Sequence, residues 1–254
     1  MVRRTLPAVA SGMMPWYFGV VESRHELQNP TSPEKIRLLG EWLQLGPESR
    51  VLDVGSGRGG PAILLARTYG CRITCIEKAE GFDAAARERA RDAGVDPLLE
   101  FVHADAADVP LEPGSFDVIL CLGAAFIWND LAGTVAALAP AARSFVAVGE
   151  PYWRSWPVPD TVDPEWRGEF MTLRGNVDAF EAEGLAPVMI IDASPDDWDR
   201  YETLHWLVAE EWLQEHPTDP DAESIRTQVN VDRDRYLRWQ RELLGWSIIV
   251  GRKS

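Results

Sequence analysis

A short list of side chains in this sequence has the types and spacing needed for chemistry. Residues 51–60 read Val-Leu-Asp-Val-Gly-Ser-Gly-Arg-Gly-Gly, which sets Asp53 two positions ahead of Gly55, Ser56, Gly57 and Gly59. Glycines at the head of a helix let a ligand approach backbone amides at the helix's positive end. Glu77, with Lys78 beside it, closes the apolar run Arg72-Ile-Thr-Cys-Ile-Glu77. A carboxylate at such a strand tip can accept from both hydroxyls of a ribose. His25, Glu150, Tyr152 and His205 supply candidate bases or hydrogen-bonding groups for a second reactant, His25 being the best base by intrinsic pKa. The histidines at 25, 103, 205 and 216 show no metal-ligand spacing with the cysteines or carboxylates, so no metal is expected.

Which ligand the glycine turn holds depends on Asp53. Gly55, Gly57 and Gly60 also satisfy G-x-G-x-x-G, the weak fingerprint of dinucleotide sites. A carboxylate so close to the turn repels a pyrophosphate and attracts an ammonium. S-adenosyl-L-methionine, with an α-amino group, an adenosine and a sulfonium, is a ligand of the second kind. In this the stretch resembles motif I of class I S-adenosylmethionine-dependent methyltransferases, an acidic residue followed by G-x-G-x-G, here Asp53, Gly55, Gly57 and Gly59. The resemblance implies that Glu77 binds the cofactor's ribose. It also implies that Asp105 accepts from the adenine amine with the Ala106 backbone near the ring, and that the strand end at Cys121 passes the methionine moiety. Glu22, His25 and Asn29-Pro30, together with Gly149-Glu-Pro-Tyr-Trp153 and Trp198-Asp-Arg-Tyr-Glu202, resemble a group of uncharacterised bacterial methyltransferase-like proteins. The chain has no Asn-Pro-Pro-Tyr motif of nucleobase amino methyltransferases, no catechol-type metal set and no arsenite-type cysteine triad.

The elements that must position these groups follow from periodicity. Ser32 and Pro33 cap and open a helix carrying Ile36, Leu39 and Leu43 on one face, ending near Gly46-Pro47. The run 51–54 is a first strand, Ala62–Tyr69 a helix, 72–77 a second strand and Ala84–Gly94 a helix. Leu99–Asp105, Phe116–Gly123 and Ser144–Gly149 are further strands, the fourth apolar enough to be buried on both faces. After a helix over 176–184 and a strand over 187–192, the closing strand is Gly245-Trp-Ser-Ile-Ile-Val-Gly-Arg. This predicts an α/β, doubly wound, Rossmann-like seven-stranded sheet with an antiparallel last strand. Residues 194–244 are read as a helical insertion of two or three helices before that strand, and 1–32 as an N-terminal cap segment, the whole 1–254 forming one domain. Residues 149–156 are expected to emerge at the ligand edge.

At 254 residues the chain suits one large α/β domain. Forty acidic against 25 basic residues, a net charge of -15, argue against tracking a phosphate backbone, so nucleic acid is not an expected partner. No run of about eighteen apolar residues suggests a membrane span. The N-terminus makes a poor signal peptide, and Cys71, Cys75 and Cys121 are read as reduced core residues of a cytoplasmic protein. The expected partner is a small-molecule acceptor, and the oligomeric state is left open. The eleven tryptophans form either an aromatic lid over a sulfonium or packing between insertion and sheet. The alternatives to methyl transfer are a nicotinamide-dependent oxidoreductase and a non-catalytic cofactor-binding module.

Overall fold

A computed structural model describes residues 15–253, so most of the expected N-terminal cap segment's first half lies outside the described residues. The elements are α1 (Pro15–Val21), α2 (Pro33–Trp42), β1 (Arg50–Val54), α3 (Gly60–Tyr69), β2 (Arg72–Glu77), α4 (Glu80–Asp92), β3 (Leu99–His103) and β4 (Phe116–Leu122). They continue as α5 (Leu131–Leu138), β5 (Ala142–Trp153), α6 (Leu173–Ala182), β6 (Leu185–Asp192), α7 (Pro195–Glu215), α8 (Ala222–Arg235), a π-helical stretch Tyr236–Gln240 and β7 (Leu244–Lys253).

The seven strands form one sheet in the order β3-β2-β1-β4-β5-β7-β6. β1 to β5 run parallel, and β7 is antiparallel to both β5 and β6. This is the expected architecture, with its topological switch between β1 and β4, where ligands of such sheets bind at the carboxyl ends of strands. Alternating side chains build a core on each face. Val51, Ile73, Cys75 and Leu120 pack on one side with α2, α3 and the insertion, and Leu52, Val54, Ile119 and Cys121 on the other with α5 and α6.

Local chemistry sets the helix starts. Ser32 Oγ accepts from the Lys35 amide ahead of α2, and Ser194 with Asp197 forms a reciprocal capping box at α7. α7, α8 and the π-helical stretch lie between β6 and β7. A third apolar cluster, Tyr17, Val21, Ala209, Leu213, Ile225 and Val229, ties α1 to α7 and α8.

Two boundaries differ from the sequence reading. α4 starts at Glu80, because its acidic first turn suits a helix N-terminus better than the alanine run alone indicated. β5 runs on from Gly149 through Trp153, because β7 pairs with it throughout, Glu150 opposite Ser247 and Tyr152 opposite Gly245. Residues 149–153 are therefore strand, the part of β5 that runs on past its last pairing with β4 at Leu122.

Candidate active site

The site is assembled around the turn after β1. The amides of Gly55 and Ser56 donate to the Ile76 carbonyl at 2.9 and 3.1 Å, stitching the turn to the end of β2. The Gly57 amide donates to Glu77 Oε2 at 2.8 Å, and the Ala79 amide to Glu77 Oε1 at 2.7 Å. Gly57 sits at φ 55°, which favours glycine, and a Cβ there would lie 2.3 Å from Gln28 Oε1 and displace that amide. Asp53 is buried behind the turn, and its Oδ2 and the Ser56 hydroxyl find no hydrogen-bond partner among the described residues. Burial, and then Glu77, push the Asp53 carboxyl up to about 7.

Beyond β3, Asp105 Oδ1 accepts from the Ala107 amide at 3.1 Å and Oδ2 pairs with Lys78 at 2.7 Å. Ala106 is buried at the start of the single turn that Asp105 caps. Cys121 is fully buried in the last part of β4, and burial followed by the charges of Glu150 and Asp53 pushes its thiol up, so it stays protonated. Glu150 is held up to about 8 by burial and then by Asp130, against the opposing effect of the Ala125 backbone. Tyr152 is occupied within the sheet: its hydroxyl donates to Asp192 Oδ1 at 2.9 Å, and the Arg154 guanidinium lies 5.4 Å from its ring centroid. Burial and that bond push its phenol up to about 12.

The segment between α1 and α2 lies against the turn. Arg58 Nη2 donates to the Ser23 carbonyl and Arg89 Nη2 to that of Glu26, both at 3.0 Å. Gln28 Oε1 accepts the Arg58 amide at 2.6 Å while its Nε2 donates to Glu22 Oε2 at 2.6 Å. Asn29 Nδ2 donates to the Leu122 carbonyl at 3.0 Å, at the exit of β4. The side chains of residues 28 and 29 thus bridge the N-terminal segment to both the β1 and β4 exits.

His25 belongs to this segment and is 4% exposed. Its Nε2 is 3.0 Å from the Tyr201 carbonyl oxygen on α7. A carbonyl only accepts, so Nε2 carries the proton and Nδ1 of the neutral ring is a lone pair. That Nδ1 is buried without a hydrogen-bond partner among the described residues. The His205 ring lies 4.5 Å from the His25 ring, centroid to centroid. Burial, then His205, lowers the His25 pKa.

Comparison with known proteins decides the family. A methyltransferase domain family matches residues 51–146. The uncharacterised protein YjhP of Escherichia coli is 35% identical over 243 residues, 93% of this chain and 98% of that protein. The crystal structure of a S-adenosylmethionine-dependent methyltransferase from Geobacter sulfurreducens, in complex with S-adenosylhomocysteine, is 35% identical with a TM-score of 0.86, covering 95% of this chain and 99% of that one. The chain belongs to the S-adenosylmethionine-dependent methyltransferase family. The glycine/sarcosine/dimethylglycine N-methyltransferase of Actinopolyspora halophila matches over a shorter stretch, 33% identical over 103 residues, 41% of this chain and 18% of that one.

As a member of this family the chain is a methyltransferase whose cofactor is S-adenosylmethionine, and the nicotinamide-dependent alternative falls away. The site suits that cofactor on its own observations. The Asp53 Oδ2 is buried and lacks a hydrogen-bond donor among the described residues, a need that an ammonium meets and a diphosphate does not. Glu77 spends two of its roughly four lone-pair positions on backbone amides, leaving capacity for a diol.

Of the residues singled out in the sequence, Asp53, Gly55, Ser56, Gly57, Gly59 and Glu77 come together at one turn. Lys78, Asp105 and Ala106 cluster at the neighbouring strand exit. His25 and His205 meet in the cap. Gln28 was not visible as a site residue and Asn29 only as part of the Asn29-Pro30 resemblance, because both act here through contacts distant in sequence. Trp153 and Trp239, 5.7 Å apart between centroids and almost fully buried, pack the insertion onto β5, which favours packing over a lid for these rings.

Proposed function

We propose that this methyltransferase acts on a small molecule held between the carboxyl edge of the sheet and the cap formed by residues 22–29 and α7. Asp53 would take the cofactor's amino group, with Gly55, Ser56, Gly57 and Gly59 presenting the turn to its amino-acid end. Glu77 would accept from the ribose, while Asp105, Ala106 and Lys78 would border the adenine and Cys121 the methionine moiety. The cofactor supplies an electrophilic methyl group on sulfur. The chain's own residues align the acceptor for in-line attack and exclude water. His25 is the base for an acceptor that must lose a proton. Glu150, protonated near neutral pH, offers a hydrogen bond, and Tyr152 holds the β5 edge through Asp192.

The buried, unpartnered carboxylate of Asp53 carries this reading. The net charge of -15 supports a small-molecule acceptor over a nucleic acid. The match to a methyltransferase acting on glycine and its N-methyl derivatives supports it as well. No described helix is long and apolar enough to cross a membrane, and the three free, buried thiols fit a reducing compartment such as the cytoplasm. Incubation with methyl-labelled S-adenosylmethionine and fractionated metabolite extracts tests the proposal. Label is expected in a small-molecule fraction, and label only in protein or nucleic acid would contradict it.

A further inference from the structure

Resting on the reading above, we propose that His205 is a positioning residue, an imidazolium set between Glu22 and Glu202. In this role it keeps the adjacent His25 neutral and protonated on Nε2, so that His25 Nδ1 receives the proton of the acceptor atom. The acceptor is then one whose methylated atom bears a proton, a hydroxyl or a neutral primary or secondary amine, and not a thioether or tertiary amine.

The geometry is built from both sides of the cap. His205 Nε2 lies 3.7 Å from Glu22 Oε1 and Nδ1 4.0 Å from Glu202 Oε2, so each ring nitrogen faces a carboxylate. Those carboxylates are fixed by other contacts. Glu22 accepts from the Tyr201 hydroxyl at 2.9 Å and from Gln28, and Glu202 accepts from Gln240 at 3.0 Å. Burial works against a charge on His205, but Glu202 and Glu22 outweigh it and hold the ring up to about 9. The same two glutamates raise the affinity of His25 for a proton, whereas burial and His205 lower it, with the lowering effects prevailing. Without the cation on His205, burial alone would stand against the two glutamates and the Tyr201 carbonyl, and the His25 lone pair would take a proton at higher pH.

The remaining charged or titratable groups facing the pair are few. Tyr17 of α1 and Tyr201 of α7 are phenols that burial pushes well above the neutral range, so neither ionises there. Arg235 of α8 lies near Glu202 and Tyr17, and its guanidinium stays charged despite burial. The pair is coupled to the cofactor turn through Gln28, which touches Glu22 at one end and the Arg58 amide at the other. In the transfer step the acceptor atom bonds to the methyl carbon as the methyl–sulfur bond breaks and its electron pair leaves on sulfur. The proton released from the acceptor ends on His25 Nδ1 and passes to solvent on product release.

Imidazole NMR titrations of the whole protein test this, assigned with H25Q and H205Q and run with and without S-adenosylhomocysteine. In the unaltered chain His25 is expected to titrate below the ordinary histidine value and His205 near 9. H205Q should raise the His25 midpoint. The acidic limb of methyl transfer to the labelled extract should move to higher pH by the same amount, with the high-pH rate retained. E202Q, a milder change, should lower the His205 midpoint without raising that of His25. Ordinary midpoints for both rings, an unmoved acidic limb in H205Q, or a His205 midpoint unchanged in E202Q would overturn the proposal. Failure of the underlying reading would show separately, as absence of S-adenosylhomocysteine binding by calorimetry in the unaltered chain.

Discussion

The amide of Gly57 donates to Glu77 Oε2 at 2.8 Å, so the tip of β2 braces the turn that leaves β1. One carboxylate thereby holds the turn in shape, and the proposed function has it accept from a diol as well. Replacing Glu77 by Gln keeps a carbonyl acceptor but loses the charge. The expected result is a loss of S-adenosylhomocysteine affinity of about tenfold to a hundredfold, the range of charge-assisted hydrogen bonds, with a small change in Tm. Calorimetry and a melting curve separate the two effects.

The role proposed for Asp53 predicts pH-dependent cofactor binding. With its carboxyl pushed up to about 7, the ionised form that attracts an ammonium is lost below that pH. Affinity should fall by up to about tenfold per unit as pH drops from about 7 to 5.5, and this dependence should be absent in D53N, whose affinity is low throughout.

Stability moves in the opposite sense. Between the unfolded value near 3.8 and the folded value of about 7, the folded chain holds the Asp53 proton more tightly than the unfolded chain does. This contribution therefore favours the fold at low pH and is lost as pH rises through about 7. Without cofactor, D53N should be more stable than the unaltered chain at pH 8, with the advantage vanishing near pH 4. Urea denaturation across pH reads this, and an advantage that grows on acidification would contradict it.

Gly57→Ala places a Cβ against Gln28 and strains a left-handed backbone. A loss of about 1–2 kcal/mol is expected from the backbone alone, together with weaker cofactor binding because Gln28 must move off the Arg58 amide. Denaturant midpoints and calorimetry measure the two losses.

The aromatic cluster under β5 should behave as core. W153A is expected to cost about 3–5 kcal/mol while S-adenosylhomocysteine affinity stays within a few-fold. Y152F should lose about 1 kcal/mol with its bond to Asp192 and leave turnover intact. Turnover that collapses in Y152F without a stability change would instead place the phenol at the acceptor.

Much of the fold was legible because its signals are local. Alternating glycines after an apolar run, the Ser32-Pro33 start and the β-branched runs each report on a few neighbouring residues. The doubly wound sheet with its antiparallel last strand followed from strand and helix alternation, whereas the strand order came from the structure. The extension of β5 was not legible, since Glu150 and Pro151 read as a strand end until β7 supplies the partner that continues the ladder. In the site, Asp53 stood out by its spacing from the glycines and Glu77 as the acidic end of the next strand. The joining of Glu22, Gln28, His25, Glu202 and His205 depends on α7 folding back over the N-terminal segment, a contact between positions about 180 apart that no local pattern encodes.

The most direct test is a crystal structure of the chain with S-adenosylhomocysteine. The expected density has the amino group against Asp53, the ribose hydroxyls on Glu77 and the sulfur turned toward His25. A cofactor whose ribose and amino group contact neither carboxylate, or no bound cofactor at saturating concentration, would contradict the assignment of the glycine turn.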